Sequence, residues 1–189
     1  MTHIVAIGGT VNPRSATEQA LQVAVAAAAA EGAQVQVFNG EYLSDLPHYR
    51  SRSYKPTDGA EMIEAVRAAD GIIIAAPGYH GTISGLVKNA LDYLEDLSKD
   101  TRPYLDGRAV GLLATAYGDQ ATMSTMQTLR SIVHALRGWP TPMGATIKLS
   151  PELFAIDGAC TDPRAKTQLD LVGQQVVQGA RSFSAGRAA

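Results

Sequence analysis

Apolar and polar positions follow two different periods along this chain. Short apolar runs at His3–Gly8, Gly71–Ala76 and Arg108–Ala116 predict buried strands, because strands covered on both faces carry apolar residues at consecutive positions. Gln34–Phe38 alternates polar and apolar residues, which is typical of a strand nearer a sheet edge. Thr141–Leu149 is a fifth candidate strand, although it contains a proline and a glycine.

Between these runs, apolar residues recur at helical spacing. Asn39–Thr57 is the exception, because its prolines and lack of periodicity predict a long irregular loop. The predicted helices are Thr17–Glu31, Asp58–Ala69, 83–94, 123–136 and 169–183. Regular alternation of strand and helix predicts a parallel sheet with helices on both faces. With right-handed crossovers, five strands suit a flavodoxin-like three-layer sandwich with the strand order 2-1-3-4-5.

Length and composition narrow the class of protein. The 189 residues suit a single domain, which we expect to span 1–183 and to be followed by a disordered tail over 184–189. Sixteen basic and 18 acidic residues give a net charge of −2, which argues against a dedicated nucleic-acid binder. One cysteine, Cys160, excludes an internal disulfide, a CxxC motif and a cysteine-rich zinc site. We expect no metal site.

Targeting signals are absent from the pattern. The first residues carry no basic segment ahead of an apolar stretch, and no apolar run reaches the length of a membrane span. We therefore expect a cytoplasmic protein that does not enter a membrane.

Three loops are predicted at the carboxyl ends of the central strands, where ligands bind in sheets of this type. The first follows β-strand His3–Gly8 and offers hydroxyl, amide and guanidinium groups together with N–H groups at a helix N-terminus, which suit a phosphate. Its candidate residues are Thr10, Asn12, Arg14, Ser15, Ala16 and Thr17. The loop matches neither GxGxxG nor GxxxxGK[ST], so a mononucleotide fits better than a dinucleotide. An ordinary turn with Ser15 or Thr17 as N-cap explains the same residues.

The second and third loops offer surfaces for a flat ligand. Glycines permit close approach of the backbone, a tyrosine packs on a ring, and a histidine donates to a carbonyl oxygen, although a solvated loop histidine is equally compatible. The candidates in the second loop are Pro77, Gly78, Tyr79, His80, Gly81 and Thr82. The third loop adds Ala116, Tyr117 and Gly118.

The segment from Pro77 to Leu94, PGYHGTISGLVKNALDYL, resembles a motif of the NAD(P)H-dependent FMN reductase family, P-x-Y-x-x-x-x-x-G-x-L-K-N-x-x-D-x-[LI]. Together with the first loop, the resemblance covers roughly residues 4–138. It implies a flavodoxin-like fold that binds FMN, with the phosphate in the first loop and the flavin ring against the second and third loops. NADPH or NADH would be the reductant. Many relatives have arginine at the position of Asn12, a larger residue at Gly78, and a Gly-Gly pair in the third loop.

Hydride transfer from nicotinamide C4 to flavin N5 needs no general base, so we assign no catalytic side chain. The resemblance also implies a homodimer or homotetramer and a partner monooxygenase that receives reduced flavin. Tyr93, expected near the exposed side of its helix, is a candidate for a subunit contact. Lys88, Asn89 and Asp92 are expected to be structural, with Lys88 and Asp92 forming an i,i+4 ion pair. The basic and aromatic segment His48–Lys55 is expected to be a solvated loop, with a contact to the 2′-phosphate of NADPH or to a subunit as the alternative.

Three other functions remain open. A quinone, azo-dye or metal-ion reductase with FMN as a prosthetic group would use the same loops. A flavodoxin-like electron carrier would bind FMN without nicotinamide, but such carriers are strongly acidic and this chain is not. A flavin-free binding module would not require so many glycines in the second loop.

Overall fold

The structure is a computed structural model that describes residues 1–50 and 59–188. Its six strands are β1 (His3–Gly8), β2 (Gln34–Phe38), β3 (Gly71–Tyr79), β4 (Thr82–Ile83), β5 (Ala109–Ala116) and β6 (Trp139–Lys148). Five of them are parallel and lie in the order β2-β1-β3-β5-β6, which confirms the predicted flavodoxin-like order. The sixth, β4, was not predicted and pairs antiparallel with the end of β3.

Helices cover both faces of the sheet. They are α1 (Ala16–Ala30), α2 (Gly40–Asp45), α3 (Ala60–Ala68), α4 (Gly85–Asp92), α5 (Asp119–Ala135) and α6 (Pro163–Ala188), with a short 3₁₀ helix at Tyr93–Leu97. Alternate strand side chains point to opposite faces. Ile72 and Ile74 pack in one core with α2, α3, α4 and α5, whereas Ile73 and Ala75 pack in the other with α1 and α6.

Two predicted irregular segments are helical instead. The predicted loop 39–57 contains α2, which Asn39 caps by accepting a hydrogen bond from the Tyr42 N–H at 3.1 Å, and Leu43 anchors the helix in the core. At the other end of the chain, α6 continues to Ala188, so the tail expected from residue 184 is helical as far as the structure describes it.

Some expectations fall on residues that the structure does not describe. Asp58, at the start of the predicted helix Asp58–Ala69, lies outside the described residues, as does most of the segment His48–Lys55. Within residues 1–50 and 59–188, every helix falls short of the length or the apolar character that a membrane span requires.

Candidate functional site

The strand register brings the three predicted loops to one edge of the sheet. Gly8, the last residue of β1, pairs with Ala75 of β3. The first loop therefore begins beside Ala75, and β3 continues past it for four more residues, to Tyr79. Pro77 pairs with Thr115, so the ends of β3 and β5 lie side by side. The first loop thus lies beside the strand that carries the second. This is the switch point at which the strand order reverses.

The first loop is held by its own polar groups. The Asn12 N–H donates to the Thr10 hydroxyl at 3.2 Å, and the Ser15 N–H donates to the Asn12 carbonyl at 3.2 Å. Ser15 is the N-cap of α1, as one of the two predictions had it, because its hydroxyl accepts from the Glu18 N–H at 3.2 Å. In the described part of the chain, no acceptor meets the N–H groups of Ala16 and Thr17. Two donors at a helix N-terminus are therefore available to an anion.

Thr17 points away from this loop. Its side chain is buried, and its hydroxyl lies 2.6 Å from the hydroxyl of Thr115 at the end of β5. The expectation that this hydroxyl faces a phosphate is therefore wrong, and only the backbone N–H of Thr17 remains as a candidate. The hydroxyl pair instead fastens the start of α1 to β5 beneath the site.

Arg14 reaches a segment that sequence reasoning did not assign to the site. Its guanidinium donates to the carbonyl of Ile156, and its own carbonyl accepts from the Gln19 side-chain amide at 2.8 Å. Ile156 is at the tip of a small hairpin between β6 and α6, closed by an antiparallel bridge between Phe154 and Cys160. No motif marks this hairpin in the sequence. It reaches Arg14 only because the chain folds back over α1.

The hairpin also contains the cysteine. Burial raises the pKa of the Cys160 thiol, and its Sγ lies 3.5 Å from the carbonyl of Asp162. A neutral thiol in this position acts as packing rather than as a nucleophile.

The first residue of α2 supports the first loop from behind. A Cβ on Gly40 would lie 1.9 Å from the carbonyl oxygen of Thr10, so only glycine fits there. The Gly40 N–H also approaches the Glu18 carboxylate at 3.5 Å. Helix α2, which the sequence pattern did not predict, therefore fixes the position of the loop.

The second loop is a β-hairpin rather than an irregular loop. Tyr79 pairs with Thr82 across a two-residue turn, His80–Gly81, whose φ angles are 50° and 88°. A turn with positive φ at both positions matches the twist of a hairpin, and glycine adopts it without strain. Among the described residues, no carbonyl accepts a hydrogen bond from the N–H groups of His80 and Gly81. The hairpin thus offers two backbone donors and the half-exposed ring of Tyr79.

Gly78 has a packing role. A Cβ there would lie 2.5 Å from the Thr125 hydroxyl on α5, and that hydroxyl contacts the Thr82 carbonyl at 3.4 Å. In the third loop, Ala116 is buried, whereas Tyr117 is 82% exposed. A Cβ on Gly118 would meet open space. The second and third loops therefore each present one exposed tyrosine at the ends of the neighbouring strands β3 and β5.

The polar residues of α4 hold the segment after α2. The Asn89 side chain accepts from the Tyr49 N–H at 2.9 Å and donates to the Pro47 carbonyl at 3.0 Å. Lys88 and Asp92 form the predicted i,i+4 pair at 2.5 Å. Tyr93 is buried and donates to the Pro47 carbonyl at 2.8 Å, so its expected exposure for a subunit contact is wrong. These residues act on the fold rather than on a ligand.

The residues at this edge fit FMN. The N–H groups of Ala16 and Thr17 suit its phosphate, and the hairpin donors suit the polar edge of its ring. Tyr79 and Tyr117 are aromatic and exposed, as ring contacts need to be. Pro77 is buried in β3 and contributes its carbonyl to the Ser84 N–H at 3.1 Å, so it shapes the hairpin and offers no exposed surface to a ring.

Comparison with known proteins agrees with this arrangement. NADPH azoreductase from Bacillus sp. (strain OY1-2) is 30% identical over 100 residues, which are 50% of this chain and 53% of that protein. FMN-dependent NADPH-azoreductase from Staphylococcus haemolyticus (strain JCSC1435) is 35% identical over 86 residues, 46% of this chain and 42% of that protein. The chain thus matches about half the length of these curated relatives.

Solved structures share the fold over nearly the whole chain. FerB from Paracoccus denitrificans, a flavoenzyme NAD(P)H:(acceptor) oxidoreductase, superposes with a TM-score of 0.80 at 18% identity, covering 97% of this chain and 99% of that one. An apo NADH:FMN oxidoreductase superposes with a TM-score of 0.74 at 23% identity, covering 96% and 90%. Likeness at this identity confirms the flavodoxin-like fold. The family model described as NADPH-dependent FMN reductase matches residues 2–148, and the chain belongs to that family.

Proposed function

We propose that this chain is an NAD(P)H-dependent oxidoreductase that binds FMN at the edge formed by its three loops. The observation that carries the proposal is that the N–H groups of Ala16 and Thr17 donate to no acceptor among the described residues. These groups lie in the first turn of α1 at the switch point. The neighbouring β3–β4 hairpin adds two backbone N–H donors, at His80 and Gly81. Backbone donors at a helix N-terminus favour a phosphate over a neutral ligand.

The chain's own contribution is binding, orientation and electrostatics. When bound, FMN supplies a hydride acceptor at N5 for the C4 hydride of reduced nicotinamide. The N–H groups of His80 and Gly81, which no described residue engages, would stabilise negative charge at the polar edge of a ring bound at the hairpin. Tyr79 and Tyr117 limit the space into which a second planar molecule can stack. No side chain needs to move a proton for the hydride step, so none is assigned that role.

A second candidate keeps FMN as a prosthetic group and passes electrons to an azo dye or a quinone. The names of the curated relatives, which are azoreductases, favour it. The reaction that releases reduced FMN to a partner monooxygenase remains our first candidate, because an exposed edge suits exchange of flavin. A non-enzymatic electron carrier and a flavin-free binding module are the remaining alternatives, and membership of a reductase family disfavours both.

Assembly and location are part of the same proposal. Four exposed apolar side chains lie on the loops around the site: Val11, Tyr79, Tyr117 and Ile156. We propose that a second copy of the chain covers some of this surface in a homodimer or homotetramer. The single cysteine suits a reducing compartment, which supports a cytoplasmic location.

The reaction is tested by aerobic oxidation of NADH and NADPH with and without added FMN, after the visible spectrum of the purified protein is recorded. Turnover that appears and saturates with FMN on a colourless protein supports release of reduced flavin. A yellow protein that is fast with a quinone or azo dye and indifferent to FMN supports the prosthetic-group reductase. No nicotinamide oxidation in any arm refutes both enzyme candidates and leaves the electron carrier or the flavin-free binding module.

The phosphate site is tested by Ala16→Pro. Ala16 is the first residue of α1, where proline is well tolerated, and the preceding Ser15 has φ −59° and ψ 154°, which a following proline permits. The substitution removes one N–H and should weaken FMN binding roughly tenfold or more while the thermal midpoint stays close to wild type. Gly85→Pro is the matched control, since Gly85 opens α4 after Ser84 with φ −64° and ψ 148°. Equal FMN affinity in both variants would contradict the assignment.

A further inference from the structure

A cavity of about 280 Å³ lies between the carboxyl end of β6 and the first turns of α5 and α6, apart from the three loops of the candidate flavin site. Its polar lining includes Lys148, Arg164, Thr146, Gln168, Asp119 and Asp162. Lys148 pairs with Ala116 in the sheet register, so the cavity opens beside the third loop, on the same edge as the candidate flavin site. No motif in the sequence marks it.

The cavity contains more donors than the protein uses. The Gln168 side-chain carbonyl accepts from the Thr146 N–H at 3.2 Å, and the amide NH₂ of this lining residue has no acceptor among the described residues. Across residues 1–50 and 59–188, neither the Arg164 guanidinium nor the Thr146 hydroxyl meets a hydrogen-bond or ion-pair partner. A guanidinium with a hydroxyl and an amide beside it suits a ligand with several acceptor oxygens.

Two carboxylates also line this cavity, and both are engaged. Asp162 caps α6, because its Oδ1 accepts from the N–H groups of Arg164 at 2.8 Å and Ala165 at 3.1 Å. Asp119 pairs with Lys148 at 3.1 Å, and the side chains of this pair are 79% and 59% exposed. An ion pair so exposed contributes little, so a ligand anion can replace Asp119 as the partner of Lys148 at small cost.

We propose that this cavity binds a phosphate or sulfonate group carried by the second substrate, an inference that rests on the proposed function. Arg164 is the principal anion contact, Lys148 the second, and Asp119 competes with the ligand for Lys148. The tetrahedral anion has two sources: the 2′-phosphate of NADPH, or the sulfonate of an aromatic electron acceptor. Arg164 and Lys148 are then specificity residues and take no part in hydride transfer.

Calorimetry on the purified protein tests the site without turnover. In the first arm, 2′,5′-ADP is compared with 5′-AMP, which lacks the 2′-phosphate. In the second, 4-aminobenzenesulfonate is compared with aniline, which lacks the sulfonate. Arg164→Gln should weaken binding of the anionic member of one pair about tenfold and leave the other member unchanged. The arm that responds identifies the source of the anion.

Two further variants separate recognition from folding. Lys166→Gln removes a charge two residues further along α6, where Lys166 pairs with Asp170 outside the cavity, and should change neither arm. Asp119→Asn removes the competing carboxylate and should strengthen anion binding several-fold, which damage to the fold would not do. All of these effects should shrink as salt is raised.

Two results would overturn the proposal. The first is that Arg164→Gln and Lys166→Gln bind the anionic ligands of both arms with the same affinity. The second is that Asp119→Asn binds them more weakly than wild type. The proposed function fails separately. A protein that binds 2′,5′-ADP through Arg164 but oxidises no nicotinamide keeps the site and loses the reaction. An active enzyme whose anion binding ignores Arg164 keeps the reaction and loses the site.

Discussion

Replacing Gly40 by alanine tests whether α2 supports the first loop. The new methyl carbon would lie 1.9 Å from the Thr10 carbonyl oxygen and 2.4 Å from its carbonyl carbon. Nonbonded carbon atoms pack at roughly 3.5–4.0 Å, so α2 or the loop must move by more than about 1 Å. The obstacle is backbone, which has no alternative rotamer.

Overpacking of this kind costs about 1–3 kcal/mol, and the better helix propensity of alanine returns up to about 1 kcal/mol. We expect Gly40→Ala to lower the free energy of unfolding by about 2 kcal/mol. For a chain of this size, that lowers the thermal midpoint by roughly 4–8 °C. Because the displaced segment contains the first loop, where we propose that the FMN phosphate binds, the dissociation constant for FMN should rise roughly tenfold, which corresponds to about 1.4 kcal/mol of lost contact.

The measurement is thermal unfolding by circular dichroism together with FMN titration by fluorescence. Gly85→Ala is the matched control, because Gly85 also opens a helix but a Cβ there meets no atom within 4 Å. The control should be neutral or more stable by up to about 1 kcal/mol. If the two variants melt at the same temperature and bind FMN equally, α2 does not position the loop.

Three further variants or measurements test the contacts around the site. Thr17→Val should lower the free energy of unfolding in urea by about 1–3 kcal/mol, because it leaves the buried Thr115 hydroxyl without its partner. The double variant Thr17→Val, Thr115→Val should lower it by less than the sum of the two single variants. Asn89→Ala should speed amide exchange in the segment after α2 and cost about 2 kcal/mol, whereas Lys88→Ala should cost no more than about 0.5 kcal/mol. Burial raises the pKa of Cys160, so the thiolate fraction is lower near neutral pH, and the thiol should react with a disulfide reagent more slowly than a free thiol until urea unfolds the protein. Equal rates in native and unfolded protein would contradict the burial.

The elements with strong local patterns were predictable. The bounds of β1 and β2 agree with the sequence prediction, and the apolar runs of β3 and β5 place the central strands correctly. Alternation of strand and helix was enough for the parallel order, because right-handed crossovers leave few alternatives. Ser15 was one of the two residues predicted as the N-cap of the first helix, and the structure confirms it rather than Thr17.

Short elements were not predictable. Helix α2 has six residues, too few to display a helical period, and it lies among prolines and glycines that suggest a loop. The β3–β4 hairpin was missed because β4 contributes two residues and its turn, His80–Gly81, has positive φ at a histidine. Elements this short exist because their neighbours hold them.

The sequence by itself determined the fold class, the strand order and the edge at which the three loops meet, because these follow from local periodicity and from the handedness of the chain. Only the tertiary structure decided where individual side chains point. Thr17 turns inward to Thr115, 98 residues away, and Arg14 reaches Ile156, 142 residues away. Tyr93 is buried on the carbonyl of Pro47, 46 residues away. Such contacts depend on partners that no local pattern encodes, so the sequence could nominate candidate residues but could not determine where their side chains point.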